Sequence, residues 1–204
     1  MGVMNSKALE LTGITADTAN PEGGVIRRES DGKTPNGVVE EAAFFNALAK
    51  KFGQIDAQQA QSLFVAGTGL LAKYGYTTGQ EGRATSPLVP LMREAAAKGV
   101  IPIDVVTYVD VLQDRDFIAK HVSQEYKNGF RVGGAKLTID GSPQGFIAYR
   151  DRPYYNPPES YRADYRGYTA ATADQVFDAI NWAFDKNIQI ITHSNGEGAS
   201  DILL

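Results

Sequence analysis

Apolar positions recur along this chain with two different periods, and the switching between them predicts the fold class. Residues 56–75 carry apolar positions at helical spacing and close on Gly75, 76–80 reads as a short strand, 86–98 as a helix closed by Lys98-Gly99, and 100–108 as a strand. The pattern continues with a helix over 110–127, a strand over 130–139, a helix over 173–186 and a strand over 188–193. Strands alternating with helices imply a parallel sheet with right-handed crossovers. The expected class is therefore α/β, either a doubly wound sheet or a partial (β/α)8 TIM-type barrel with flanking helices. Residues 141–170, rich in Tyr, Pro and Arg, interrupt the alternation and read as an inserted loop that covers the strand ends, with Tyr154, Tyr155, Tyr161 and Tyr165 partly exposed.

Ahead of this repeat the periods are shorter. Asn5 or Ser6 caps a short helical pattern, and 13–33 reads as a small hairpin or excursion around Val25-Ile26 and the turn Asp31-Gly32. Glu40 and Glu41 precede AAFFNALAKKF, an amphipathic helix, where they are expected to complement its positive end. The organisation expected is a region 1–55 holding an excursion and a connecting helix, followed by the βα repeats of 56–204.

The strand at 130–139 contains Lys136 among Val132, Ala135, Leu137 and Ile139. A buried ammonium is costly to desolvate, so such a lysine escapes to solvent, pairs with an anion or is chemically altered. A second strand ends on His193 and runs into Ser194-Asn195-Gly196-Glu197. In parallel α/β folds active sites gather at the carboxyl ends of strands. Glu81, Tyr108, Lys136, Asp140, His193, Asn195 and Glu197 are expected there, with Lys136 and His193 on neighbouring strands aimed into a shared space. Each alone has an ordinary structural explanation, and it is their convergence that suggests a site.

Charge and composition narrow the class further. A net charge of −4 over 204 residues gives no electrostatic case for nucleic acid or an anionic membrane surface. The apolar runs fall short of the ~18 residues a membrane span needs, so a soluble protein is expected, in a compartment the sequence leaves open between cytoplasm and periplasm. The absence of cysteine excludes disulfides and thiolate ligands.

Four stretches, NSKALELTGIT (5–15), PEGGVIRRESDGKTPNGVVEEAA (21–43), AKLTIDGSPQG (135–145) and ITHSNGEGASD (191–201), together resemble the metal-dependent amidohydrolases of the family-3 type. The resemblance implies a (β/α)8 barrel with one or two divalent metals, usually zinc, held by a His-x-His pair, a carboxylated lysine, two further histidines and an aspartate. It would make Lys136 the strand-four lysine and His193 the strand-five histidine, with a metal-activated water hydrolysing an amide or related C–N bond. The chain departs from the pattern in having two histidines and no His-x-His pair; His121 lies in a helical stretch where a solvated or capping role is expected. Where many relatives carry His-Ala-Ile-Gly-Asp, this chain has His193-Ser194-Asn195-Gly196-Glu197. It therefore reads as an internal fragment covering strands two to five, inactive and metal-free by itself, with Met1 or Met4 not the natural start and open sheet edges that favour homo-oligomers. Two other readings stand beside this one: a lysine Schiff-base aldolase and a non-catalytic small-molecule binding or assembly module.

Overall fold

The structure is a computed structural model that describes residues 1–52, 56–157 and 161–204. In chain order the elements are β1 (Gly2–Val3), α1 (Ser6–Thr12), β2 (Gly24–Arg28), β3 (Pro35–Glu41), α2 (Ala42–Phe52), α3 (Ala57–Lys73), β4 (Thr78–Ala84), α4 (Val89–Ala97), β5 (Asp104–Asp110), α5 (Arg115–His121), β6 (Phe130–Thr138), α6 (Ala173–Asp185), β7 (Ile190–His193) and α7 (Glu197–Leu203). They fall into two compact units: Met1–Gln54 with Thr138–Ala173 and His193–Leu204, and Ile55–Leu137 with Asp174–Thr192.

The unit built on 55–137 and 174–192 carries the βα repeats. Its sheet has the order β4-β5-β6-β7, and the pairs β4–β5 and β5–β6 are parallel. This is the parallel α/β arrangement expected of a partial barrel. β5 is buried from Val105 to Asp110, as a central parallel strand packed on both faces must be. Local chemistry sets the helix ends: Asp56 and Gln59 form a reciprocal capping box on α3, and Gly75 and Gly99 take the left-handed conformation just beyond α3 and α4.

Several boundaries differ from the sequence pattern: the strand expected over 76–80 is β4, Thr78–Ala84, and the one expected from 100 begins at Asp104. The strand expected to stop at Tyr108 continues through Asp110, and the helix expected over 110–127 is only α5. Asp114 caps α5 by accepting from Phe117 N at 2.9 Å, and the chain after His121 returns to the sheet through a bridge between Val122 and Val132. The apolar spacing is honoured as helix through His121, and beyond it pairing of Val122 with Val132, with Ser123 N donating to Val132 O at 2.9 Å, turns the chain back to β6 and ends the helix. His121 sits in the last turn of α5 with its ring 4.3 Å from that of Phe117.

β6 carries a bulge. Thr107 pairs with Val132 but Tyr108 pairs with Gly134, so Gly133 is an extra residue on β6. A Cβ at Gly133 would lie 2.5 Å from Val106 Cγ2, and one at Gly134 would lie 2.0 Å from the carbonyl oxygen of Gln189. The inserted residue advances the register by one, which brings Lys136 level with Asp110. Without it Ala135 would occupy that place.

The other unit contains a three-stranded antiparallel sheet of order β1-β3-β2. The expected hairpin is present, with Asp31 Oδ1 accepting from Lys33 N and Thr34 N in its turn. Ile26, Val39, Ala43 and Ala47 form its core with Ile14. The reading of Glu40 and Glu41 as helix-dipole partners is corrected, because both lie in β3 and Glu40 is fully buried. Val39 and Glu40 point to opposite faces of β3 and both are fully buried, so both faces are covered here and one carboxylate is enclosed.

That carboxylate is the hub of a buried network. Arg27 Nε donates to Glu40 Oε1, Tyr161 Oη donates to Oε1 at 3.1 Å, and Tyr168 Oη donates to Oε2 at 3.0 Å. Arg27 Nη2 also donates to the Gly145 carbonyl at 3.1 Å, and the rings of Tyr161 and Tyr165 stack at 4.0 Å. Tyr154, expected to be partly exposed, is instead buried with its hydroxyl donating to Ala148 O at 2.9 Å; Tyr155 is fully exposed. The inserted segment is thus anchored from within by its tyrosines; its residues 158–160 lie outside the described residues.

Burial above all, and for Tyr161 and Tyr168 next the charge of Glu40, push these hydroxyls and that of Tyr165 above their ordinary value of 10.0. A group whose folded-state pKa exceeds its unfolded one adds stability that is complete below the unfolded pKa and lost as pH rises beyond it. Urea midpoints should hold steady from about pH 8 to pH 10 and fall steeply above, and Tyr168→Phe should flatten that fall. An unchanged alkaline slope in the variant would contradict this.

Candidate functional site

The residues singled out by the sequence fall into two sets, one in each unit. In the repeat unit, Lys136 is half-buried on β6, paired in register with Asp110 at the end of β5, and its carbonyl accepts from Val111 N at 2.9 Å. Asp110 is nearly inaccessible. Its Oδ2 accepts from Arg83 Nε at 3.0 Å and from Gln113 Nε2 at 3.3 Å, and its Oδ1 accepts from Leu112 N at 3.0 Å. Arg83 reaches it because β4 also slips register, between Glu81 and Ala84. Burial, reinforced by the Arg83 charge and opposed by that of Asp110, lowers the Lys136 amine below its usual range. A lysine so placed spends more time as the neutral, nucleophilic amine.

Asp110 is the residue sequence reasoning missed. It was assigned to the start of a helix, and the signal that could have found it was the unbroken β-branched run Val105-Val106-Thr107 continuing to Val109. Glu81 and Tyr108, expected at strand ends, lie inside β4 and β5 instead. Glu81 Oε1 accepts from Arg83 N at 3.0 Å and supports the local slip in β4. Tyr108 is buried and its hydroxyl donates to Gln189 Oε1 at 2.9 Å, so it is a core tyrosine with a satisfied hydroxyl.

In the other unit, Asp140, His193 and Asn195 come together. The fully buried Asp140 carboxylate accepts three backbone N–H groups: Asn195 to Oδ1 at 2.8 Å, and Gly196 and Tyr149 to Oδ2 at 2.8 and 2.9 Å. With its lone pairs so engaged it ties the loop after β7 to the loop after β6. His193 ends β7, half-buried; its carbonyl accepts from Ile139 N at 3.0 Å and its Nε2 lies 2.9 Å from Asn195 Nδ2. Gly196 leaves room for the crossing chain, since a Cβ there would fall 1.9 Å from Tyr149 O. Glu197 faces away from this cluster toward Arg150, whose hydrogen bonds at 3.1 and 3.3 Å hold its carboxyl below the usual range.

Among the described residues no three His, Asp or Glu side chains are grouped so as to hold a metal ion. The two expected ligands, the His193 imidazole and a Lys136 amine that ligates only once converted to an anion, are fewer than the three or four protein donors a divalent site usually takes. No helix of the described residues is long and apolar enough to cross a membrane.

The chain belongs to the amidohydrolase family represented by Amidohydro_3, which it matches over residues 2–204. In fold it is similar to an uncharacterized metal-dependent hydrolase from Pyrococcus furiosus (18% identity, TM-score 0.68) and to one from Pyrococcus horikoshii OT3 (17%, 0.69). Each likeness covers 98% of this chain, which spans 39% and 38% of those proteins. No curated protein matches the chain.

Proposed function

We propose that this chain supplies part of the active site of a metal-dependent hydrolase that cleaves an amide or related C–N bond of a small molecule. The observation that carries the reading is Lys136, a half-buried amine of lowered basicity set beside Asp110 by a glycine bulge, in a chain of this family. In this reading Lys136, as its carbamate, and His193 are two of the ligands of a divalent metal, zinc by preference, and a complete barrel adds the rest. Such a metal, when bound, polarises the substrate carbonyl and acidifies a water.

The chain's own residues have the supporting parts. Asp110 and its partner Arg83 fix the polar surroundings of Lys136, and Asp140 fixes the loop that bears Asn195; of the residues expected to support a substrate, Asn195 stands beside His193, whereas Tyr108, Glu81 and Glu197 are engaged in the core, in the β4 slip and with Arg150. By itself the 204-residue chain is proposed to be inactive and to retain no metal, for want of donors. Exposed Leu63 and Leu70 on α3 and Phe177 and Phe184 on α6 favour self-association, which sizing by light scattering would test; a strict monomer would refute that part.

The function is tested by assaying the chain within a complete barrel against a panel of N-acyl and N-formyl compounds, before and after chelation. Hydrolysis lost on chelation and restored by zinc is expected. Activity indifferent to chelators, or a borohydride-trapped carbonyl substrate on Lys136, would overturn the proposal, the latter in favour of Schiff-base chemistry.

A further inference from the structure

The neutral imidazole of His193 can carry its proton on either ring nitrogen, and the hydrogen bonds around it select which. Asn195 Nδ2 lies 3.0 Å from the carbonyl oxygen of Gly141 and 2.9 Å from His193 Nε2. A peptide carbonyl can only accept, so the amide nitrogen of Asn195, and not its oxygen, must face Gly141. With one N–H directed there, the second N–H of the same nitrogen is left for His193 Nε2. A nitrogen that receives an N–H must offer a lone pair. We infer that Asn195 is a positioning residue that locks His193 in the tautomer protonated on Nδ1, with Nε2 held as an acceptor.

The surroundings make this lock rigid. The main chain of Asn195 is pinned by its own N–H to Asp140 Oδ1, and the next N–H, of Gly196, is pinned to Oδ2 of the same buried carboxylate. The Gly141 carbonyl follows directly on Asp140, and a Cβ at Gly141 would meet Glu41 Oε1 at 2.8 Å and Ile147 Cδ1 at 2.9 Å, so that turn has little room to shift. The Asn195 main chain and the Gly141 carbonyl are therefore both placed from Asp140.

The chain has two histidines, so histidine-selective 15N labelling gives two rings to assign, with His121 as an internal control of the fold. Long-range 1H–15N spectra at about pH 8.5, where a histidine of ordinary pKa is neutral, should show His193 protonated on Nδ1. In Asn195→Ala the proton should redistribute toward Nε2, and in Asn195→Asp, whose carboxylate only accepts, it should move to Nε2 outright, with the His121 signals unchanged. An Nε2-protonated ring in the wild type, or an Nδ1-protonated ring that persists in both variants, would overturn the tautomer lock.

Discussion

Glu40→Ala is expected to lower stability by roughly 3–5 kcal/mol, because it leaves the largely buried Arg27 guanidinium without its counter-charge and the Tyr161 and Tyr168 hydroxyls without their acceptor. That is a large share of the 5–15 kcal/mol typical of a domain. The cost reflects an uncompensated charge more than a lost attraction, so replacing both partners, Arg27→Met with Glu40→Leu, should recover much of it. Denaturant midpoints of the single and double variants decide the matter. Equal losses in both would show that shape, and not charge, governs the site.

A second large effect is expected at Gly134. A Cβ there would sit 2.0 Å from the carbonyl oxygen of Gln189, a main-chain atom that also accepts from Ala135 N at 2.8 Å. Main chain cannot step aside as a side-chain tip can, so Gly134→Ala should break that hydrogen bond and cost on the order of 4 kcal/mol. Gly133→Ala meets Val106 Cγ2 and Tyr108 Oη, which are side-chain atoms, and should cost less. Gly67 and Gly69 of α3 have nothing within 4 Å of a Cβ, and alanine at either should stabilise by about 0.5–1 kcal/mol. Thermal and urea unfolding of the four variants should give that order; a harmless Gly134→Ala would contradict the register described for β6 and β7.

The βα repeat was legible in the sequence because its helices and strands have strong, distinct periods and clear stop signals such as Gly75 and Gly99. Lys136 stands out because a polar residue inside an apolar run is costly, and Asp140 and His193 because they end such runs. What the sequence did not disclose was register. A two-residue period cannot show that Gly133 is an extra residue, and only that bulge makes Asp110 the neighbour of Lys136. The Glu40 network was hidden for a different reason: its partners lie 13, 121 and 128 residues away, beyond any local pattern, while a glutamate ahead of a helix has a ready local explanation. Tyr108 illustrates the opposite error, since an aromatic at an apparent strand end looks accessible until the strand proves to be two residues longer.

The proposed function rests above all on Lys136 and His193 serving as ligands of a divalent metal in a complete barrel. Metal analysis after exhaustive dialysis, with 13C-bicarbonate NMR for a lysine carbamate, tests it most directly on the chain within a complete barrel and on its Lys136→Met and His193→Ala variants. The account predicts at least one equivalent of divalent metal and a carbamate signal in the parent, no carbamate in Lys136→Met, and metal lost or reduced at least tenfold in affinity in both variants. Full metal content retained by both variants, or a parent that holds metal with no carbamate, would contradict it.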